Sequence, residues 1–223
     1  MFTTDNFNEE DRMRGQRTKL VVELRKKGIS SEKVLEAIGK VPRQLFFPKD
    51  FEQFVYRDAA FPIGHGQTIS QPYTVAFQTE LLHIQKGDKI LEIGTGSGYQ
   101  AAVLSAMGAN VYSVEVVKSL LVEATKVLKN IDSNIKLFHG DGTLGLSSEA
   151  PFDAILVTAG APDVPETYMQ QLKIGGRLVI PVGQNRESQQ MLRVTRTSQT
   201  EFRTEVFGNF KFVPLLGAKG WKT

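Results

Sequence analysis

Leu91-Glu92-Ile93-Gly94-Thr95-Gly96-Ser97-Gly98-Tyr99-Gln100 is a short apolar strand that runs into three alternating glycines and then into helix-forming residues. Glycines directly after the first strand of a doubly wound sheet let a ligand meet the backbone at the strand's carboxyl end. Working outward, strand signals recur at 89–93, 110–114, 135–138, 152–157 and 177–182. Helical patterns near 98–107, 117–130 and 165–173 separate them, and repeated βαβ units imply a parallel, doubly wound sheet. The tail breaks this rhythm: 191–196 and 204–207 read as a hairpin on the sheet edge, which makes the sheet mixed. The predicted class is therefore α/β, Rossmann-like and mostly parallel, with an antiparallel C-terminal hairpin and N-terminal helices.

The first third carries those helices. Leu20, Val21 and Leu24 follow helical spacing, and Gly28 is a stop. Ser31 caps a second helix carrying Val34, Leu35 and Ile38. Residues 56–66 read as loop, because Pro62, Gly64 and Gly66 are breakers. A helix from 72 to 84 follows. With 223 residues and no linker-like boundary, one domain is expected over 1–223. Within it, 1–87 form a helical and active-site segment, and 88–223 a cofactor-binding core.

Composition removes several options. There is no Cys, which excludes a disulfide framework, a thiolate zinc site and a Cys nucleophile. No apolar run is long enough to span a bilayer, and the start lacks a basic region followed by an apolar one. A cytoplasmic protein with no membrane role is the expectation. The net charge of +3 is uneven: +2 over 1–27, −5 over 28–172 and +6 over 173–223. The tail's Arg193, Arg196, Arg203, Lys211, Lys219 and Lys222 are dispersed, which fits a solvated face better than a nucleic-acid footprint.

Three carboxylates fall at strand ends. Glu92 lies two residues before the first glycine, where it suits a ligand with a positive group better than a pyrophosphate. Glu115, at the end of the second strand, can accept both hydroxyls of a ribose, a role shared by dinucleotide and adenosylmethionine sites. Asp141, between Gly140 and Gly142, can accept a hydrogen bond from an adenine amino group. Together they point to an adenosine-containing ligand, and the G-x-G-x-G spacing favours S-adenosylmethionine over NAD.

Phe61-Pro62-Ile63-Gly64-His65-Gly66-Gln67-Thr68-Ile69-Ser70-Gln71-Pro72-Tyr73, followed by the glycine loop, resembles the bacterial protein-L-isoaspartate O-methyltransferase family. Val41-Pro42-Arg43, Gly140-Asp141-Gly142, Pro151-Phe152-Asp153-Ala154-Ile155 and Phe212-Val213-Pro214-Leu215 extend the likeness over about residues 30 to 217. The resemblance implies methyl transfer from S-adenosylmethionine to the free carboxylate of L-isoaspartyl and D-aspartyl residues in damaged proteins, which initiates their repair. It implies that Ser70 is the key active-site residue and that Ile69, Gln71 and Pro72 roof the pocket. Glu92, Gly94, Thr95, Gly96, Glu115, Asp141 and Gly142 would hold the cofactor. Val213 and Pro214 would lie beside the peptide. Tyr73 stands where other members have His, and Lys211 where Arg is common.

The chemistry is consistent with these residues. A carboxylate has a reference pKa near 4 and is already nucleophilic at neutral pH, so neither a general base nor a metal is required. A hydroxyl such as that of Ser70 can hold the carboxylate in line. Read alone, Ser70 is instead the N-cap of the helix beginning at Pro72; both roles can coexist. The missing G-x-S-x-G elbow and the lack of an evident Asp–His pair speak against a serine hydrolase. Of the three His, His65 reads as a loop residue near the site, and His83 and His139 as structural. The competing readings are an NAD-dependent oxidoreductase, a nucleic-acid or small-molecule methyltransferase and a non-enzymatic interaction module. A monomer is expected.

Overall fold

In a computed structural model that describes residues 4–131 and 134–221, the first helix, α1, spans Thr4–Lys26. Lys222 lies outside the described residues. Gly28 takes φ +101° beyond the end of α1. There the Ile29 amide reaches the Leu24 carbonyl and the Gly28 amide that of Arg25, both at 3.1 Å. This is a Schellman closure, and its two apolar partners, Leu24 and Ile29, are both buried. Helix α2 (Glu32–Lys40) is capped by Ser31, whose hydroxyl accepts from the Val34 amide at 3.4 Å.

The stretch expected as loop contains a small hairpin. Strands β1 (Phe61–Gly64) and β2 (Gln67–Ile69) pair antiparallel. The supposed breakers build it: Gly64, His65 and Gly66 all have positive φ and make the turn, while Pro62 sits in a two-stranded ribbon where a missing donor is tolerated. Helix α3 (Pro72–Leu82) follows. Its N-cap is Gln71, with no side-chain cap bond. The reading of Ser70 as the cap is therefore corrected: with Pro72 at the first helical position the cap falls on Gln71, and Ser70 lies one residue outside it.

The main sheet has seven strands. They are β3 (Lys89–Ile93), β4 (Asn110–Glu115), β5 (Ile135–His139), β6 (Phe152–Val157), β7 (Leu172–Val182), β8 (Gln189–Arg196) and β9 (Phe202–Phe210). Their spatial order is β5-β4-β3-β6-β7-β8-β9. The first five are parallel, β8 pairs antiparallel to β7 and β9 antiparallel to β8, the mixed doubly wound sheet that the sequence predicts. Helices α4 (Tyr99–Ala106) and α5 (Lys118–Leu128) provide the crossovers on one side. The helix expected at 165–173 is shorter, α6 at Glu166–Gln171, because β7 begins at Leu172. Gly176 permits that early start: a Cβ there would lie 2.8 Å from the Lys173 carbonyl oxygen and 3.0 Å from that of Asp153.

Both faces of the sheet are covered, so its central strands read as continuous apolar runs. Ile90, Val111, Leu156 and Val179 pack with the N-terminal helices and α4, while Leu91, Tyr112, Ile155 and Leu178 pack on the other side with Tyr168 and Leu215. The chain adds β4 and β5 on one side of β3, then β6 and β7 on the other. This reversal leaves a crevice at the strands' carboxyl ends, where ligands of such sheets bind. Among the described residues no helix is long and apolar enough to cross a membrane.

Candidate functional site

That crevice is a cavity walled by the ends of β3, β4 and β6, the β1–β2 hairpin and the C-terminal segment. Of the residues singled out in the sequence, Ile69, Ser70, Gly94, Thr95, Gly96, Glu115, Gly142, Val213 and Pro214 line it. Gln71, Pro72, Glu92 and Asp141 do not.

The floor is the glycine loop. Gly94, Gly96 and Gly98 all have positive φ. A Cβ on Gly94 would lie 2.5 Å from the Thr158 hydroxyl oxygen. That hydroxyl bonds to the Gly94 carbonyl at 2.7 Å and to the Ile93 carbonyl at 3.0 Å, tying the end of β6 to the loop. Glu115 is 5% exposed. It accepts the Gly96 amide on Oε2 at 2.8 Å and the Val117 amide on Oε1 at 2.9 Å. Its carboxylate is therefore fixed against the cavity before any ligand arrives, and each oxygen retains acceptor capacity.

Glu92 lies under the loop, fully buried. It accepts a short hydrogen bond from the Ser113 hydroxyl, which in turn pairs with the Thr95 hydroxyl at 2.6 Å. Burial pushes its carboxyl up to about 8, against the Ser113 bond and with help from nearby Glu115. Through Ser113 it buttresses Thr95 from below.

Asp141 is not among the lining residues either. Its Oδ1 accepts the Thr143 amide at 2.9 Å and the Thr143 hydroxyl at 2.6 Å, and its Oδ2 accepts the Ala218 amide at 2.8 Å. Partial burial raises its pKa, but these bonds outweigh it and hold the carboxyl below its ordinary value. Asp141 thus ties the C-terminal segment to the end of β5. Gly142 takes the place beside the cavity, its carbonyl accepting the Tyr168 hydroxyl at 3.0 Å.

The opposite wall comes from distant parts of the chain. Val213 and Leu215 bracket Gly160, with the Gly160 amide on the Val213 carbonyl and the Leu215 amide on the Gly160 carbonyl, both at 2.8 Å. Trp221 adds its indole N–H to the same Gly160 carbonyl at 2.8 Å. A second, smaller cleft adjoins the first and is lined by Ala60, Gln71, Thr74, Lys211 and Phe212 together with Thr68, Ser70, Thr158 and Val213. The last four also line the main cavity. Ser70 thus stands on the wall that two clefts share. Pro72 is buried at the start of α3 outside both.

His65 joins the hairpin turn to the start of α5 through Ser119, at 2.9 Å. Lys211 pairs with Glu187. Sequence reasoning missed Thr68, Thr158 and Gln100 as lining residues. Thr158 alone had a usable signal, its place at the carboxyl end of a strand next to the switch point. Among the described residues, no group of three or more His, Cys, Asp or Glu could hold a metal ion.

Residues 15–220 match the family model described as Protein-L-isoaspartate(D-aspartate) O-methyltransferase, a wider span than the motifs alone cover. A protein-L-isoaspartate O-methyltransferase of Flavobacterium psychrophilum is 57% identical over 206 residues, covering 92% of this chain and 96% of that protein. Among solved structures, a protein-L-isoaspartate O-methyltransferase aligns with a TM-score of 0.82 at 30% identity, over 91% of this chain and 66% of the other. A Plasmodium falciparum protein in complex with S-adenosyl-L-homocysteine aligns with a TM-score of 0.80 at 24% identity, over 90% of this chain and 98% of the other.

Proposed function

The chain belongs to the protein-L-isoaspartate(D-aspartate) O-methyltransferase family, and from that premise we propose how its own residues divide the work between the two clefts. The enzyme transfers a methyl group from S-adenosylmethionine to the free carboxylate of L-isoaspartyl and D-aspartyl residues, which starts their repair. The observation that carries the division is the place of Ser70 on the wall common to both clefts.

The larger cavity fits the cofactor. Its glycine floor admits close approach where a Cβ on Gly94 would collide, and Glu115 offers a fixed acceptor for ribose hydroxyls. Gly94, Thr95, Gly96, Glu115, Gly142 and Ile69 would hold it. S-adenosylmethionine supplies a methyl group already activated by its sulfonium. Glu92 and Asp141 contribute indirectly: one supports Thr95, the other fixes the C-terminal wall.

The smaller cleft admits the isoaspartyl side chain along Val213 and Gln71. The substrate carboxylate is ionised at neutral pH, so no residue has to remove a proton. Ser70 donates a hydrogen bond to one carboxylate oxygen and leaves the other free to attack. Apolar Val213 and Pro214 exclude water from that pose. The protein's contribution is alignment and desolvation, with the O–CH3 bond forming as the S–CH3 bond breaks.

We also propose that the enzyme acts as a monomer in the cytoplasm. Its exposed apolar side chains, such as Val22, Val122, Ile174 and Val206, belong to separate elements, which supports the monomer. Sedimentation would check it.

The experiment for the function is methyl transfer from labelled S-adenosylmethionine to two peptides that differ only in an isoaspartyl or a normal aspartyl linkage. Label is expected in the first and not in the second. Equal labelling of both, or of neither, would contradict the proposal.

A further inference from the structure

Arg43 is a charged side chain with no exposed surface. It opens a short 3-10 turn, Arg43–Phe46, far in sequence from the glycine loop. Its Nε donates to the Val55 carbonyl and its Nη2 to the Ser70 carbonyl, both at 2.9 Å. The guanidinium lies over the Tyr99 ring, 4.5 Å from its centroid, and 5.1 Å from that of Phe47. Tyr99 begins α4 and lines the cofactor cavity. Among the described residues no carboxylate lies within ion-pair distance of Arg43.

A buried cation without a carboxylate partner is unfavourable, and an apolar side chain of similar volume would fill the space at lower cost. The guanidinium supplies what no apolar group can: a rigid fork that joins two carbonyls while stacking on an aromatic face. One of those carbonyls belongs to Ser70, in the segment between β2 and α3. Ser70 lies just outside α3, and the N-cap that follows it makes no side-chain cap bond. The direction of the Ser70 side chain depends on how its backbone is held.

We propose that Arg43 is a positioning residue for Ser70: its fork, anchored on Val55 and stacked on Tyr99, fixes the Ser70 backbone so that the hydroxyl faces the wall shared by the two clefts. This rests on the reading of Ser70 given above. If Arg43 instead only staples the N-terminal layer to the sheet, its replacement lowers stability and leaves the chemistry of the folded enzyme untouched.

The test compares Arg43→Lys and Arg43→Gln with Ser70→Ala and with the Arg43→Lys/Ser70→Ala double variant. The readings are kcat, KM for an isoaspartyl peptide, Kd for S-adenosylhomocysteine and Tm. Lysine keeps the charge but cannot serve both carbonyls. In Arg43→Lys, kcat is expected to fall about tenfold or more, the scale of one hydrogen bond involving a charged group. Kd should stay near the wild-type value, and the double variant should be no slower than Ser70→Ala alone. A folded Arg43→Lys or Arg43→Gln with wild-type kcat would overturn the proposal, as would losses that multiply in the double variant. Wild-type turnover by Ser70→Ala would instead overturn the reading of Ser70, whatever the Arg43 variants do.

One arm leaves the buried side chain intact and decides the matter if the Arg43 variants do not fold. Replacing the Ser70–Gln71 amide by an ester weakens the Ser70 carbonyl as an acceptor. Reduced kcat with unchanged Kd supports the proposal, and unchanged kcat overturns it.

Discussion

The two walls of the cavity are built in opposite ways. The wall proposed for the cofactor is local: Gly94, Thr95, Gly96 and Glu115 lie within 22 consecutive residues, joined by the bond from the Gly96 amide to the Glu115 carboxylate. The wall proposed for the reaction is assembled from a distance. Ser70 and Val213 are far apart in sequence, and what brings them together is the hairpin, the fork of Arg43 and the pairing of the C-terminal segment with Gly160. A local wall is set by a motif. A distant wall is set by packing, and it can shift while the motif stays intact. Damage to the first should therefore appear in binding, and damage to the second in turnover.

The largest effect on the local wall is expected from Gly94→Ala. Its backbone is left-handed at φ +96°, and the new methyl would meet the Thr158 hydroxyl that closes the loop. Strain of about 1–3 kcal/mol per disfavoured residue adds to that collision. Calorimetry should show affinity for S-adenosylhomocysteine weakened by about tenfold or more, the factor that ~1.4 kcal/mol carries. Unchanged affinity would remove the glycine loop from the cofactor site.

Glu115→Ala comes next. It removes an acceptor proposed for the ribose and two bonds that shape the loop. Binding of S-adenosylhomocysteine should weaken by about 1–3 kcal/mol, with kcat at saturating cofactor much less affected. A loss confined to kcat would move Glu115 to the other wall.

The smallest effect on binding and turnover belongs to Glu92, whose contribution appears in stability instead. Its carboxyl is raised to about 8 in the folded chain against an ordinary 4.5. Between those values the folded chain keeps a proton that the unfolded chain has released. Stability therefore falls as pH rises from about 4.5 to 8, at up to roughly 1.4 kcal/mol per unit. Glu92→Gln should remove that slope and raise Tm more at pH 8 than at pH 5. A variant with the wild-type slope would show that Glu92 is already ionised.

The same contrast explains what could be read from the amino acids. The sheet and the local wall were legible because alternating strands, strand-end glycines and Glu115 carry their signals within a short window. The hairpin was not, since Pro62, Gly64 and Gly66 have the same composition in a loop as in a tight turn. Asp141 illustrates the other limit. Its position at a strand end suggested an adenine contact, and the structure adds a role beside it: an amide 77 residues away, that of Ala218, bonds to its Oδ2, which retains acceptor capacity. Nothing near Asp141 in sequence announces that partner. Ser70 was singled out by resemblance, and its neighbourhood in the sequence pointed instead to a helix cap that the structure does not contain.

The most direct test of the division between the walls is Ser70→Ala, with single-turnover methyl transfer to an isoaspartyl peptide and S-adenosylhomocysteine affinity measured on one preparation. The transfer rate should fall by roughly 10- to 100-fold, matching about 1.5–3 kcal/mol for a hydrogen bond to a carboxylate, while cofactor affinity stays near wild type. A rate that survives, or a rate and an affinity that fall together, would contradict the account.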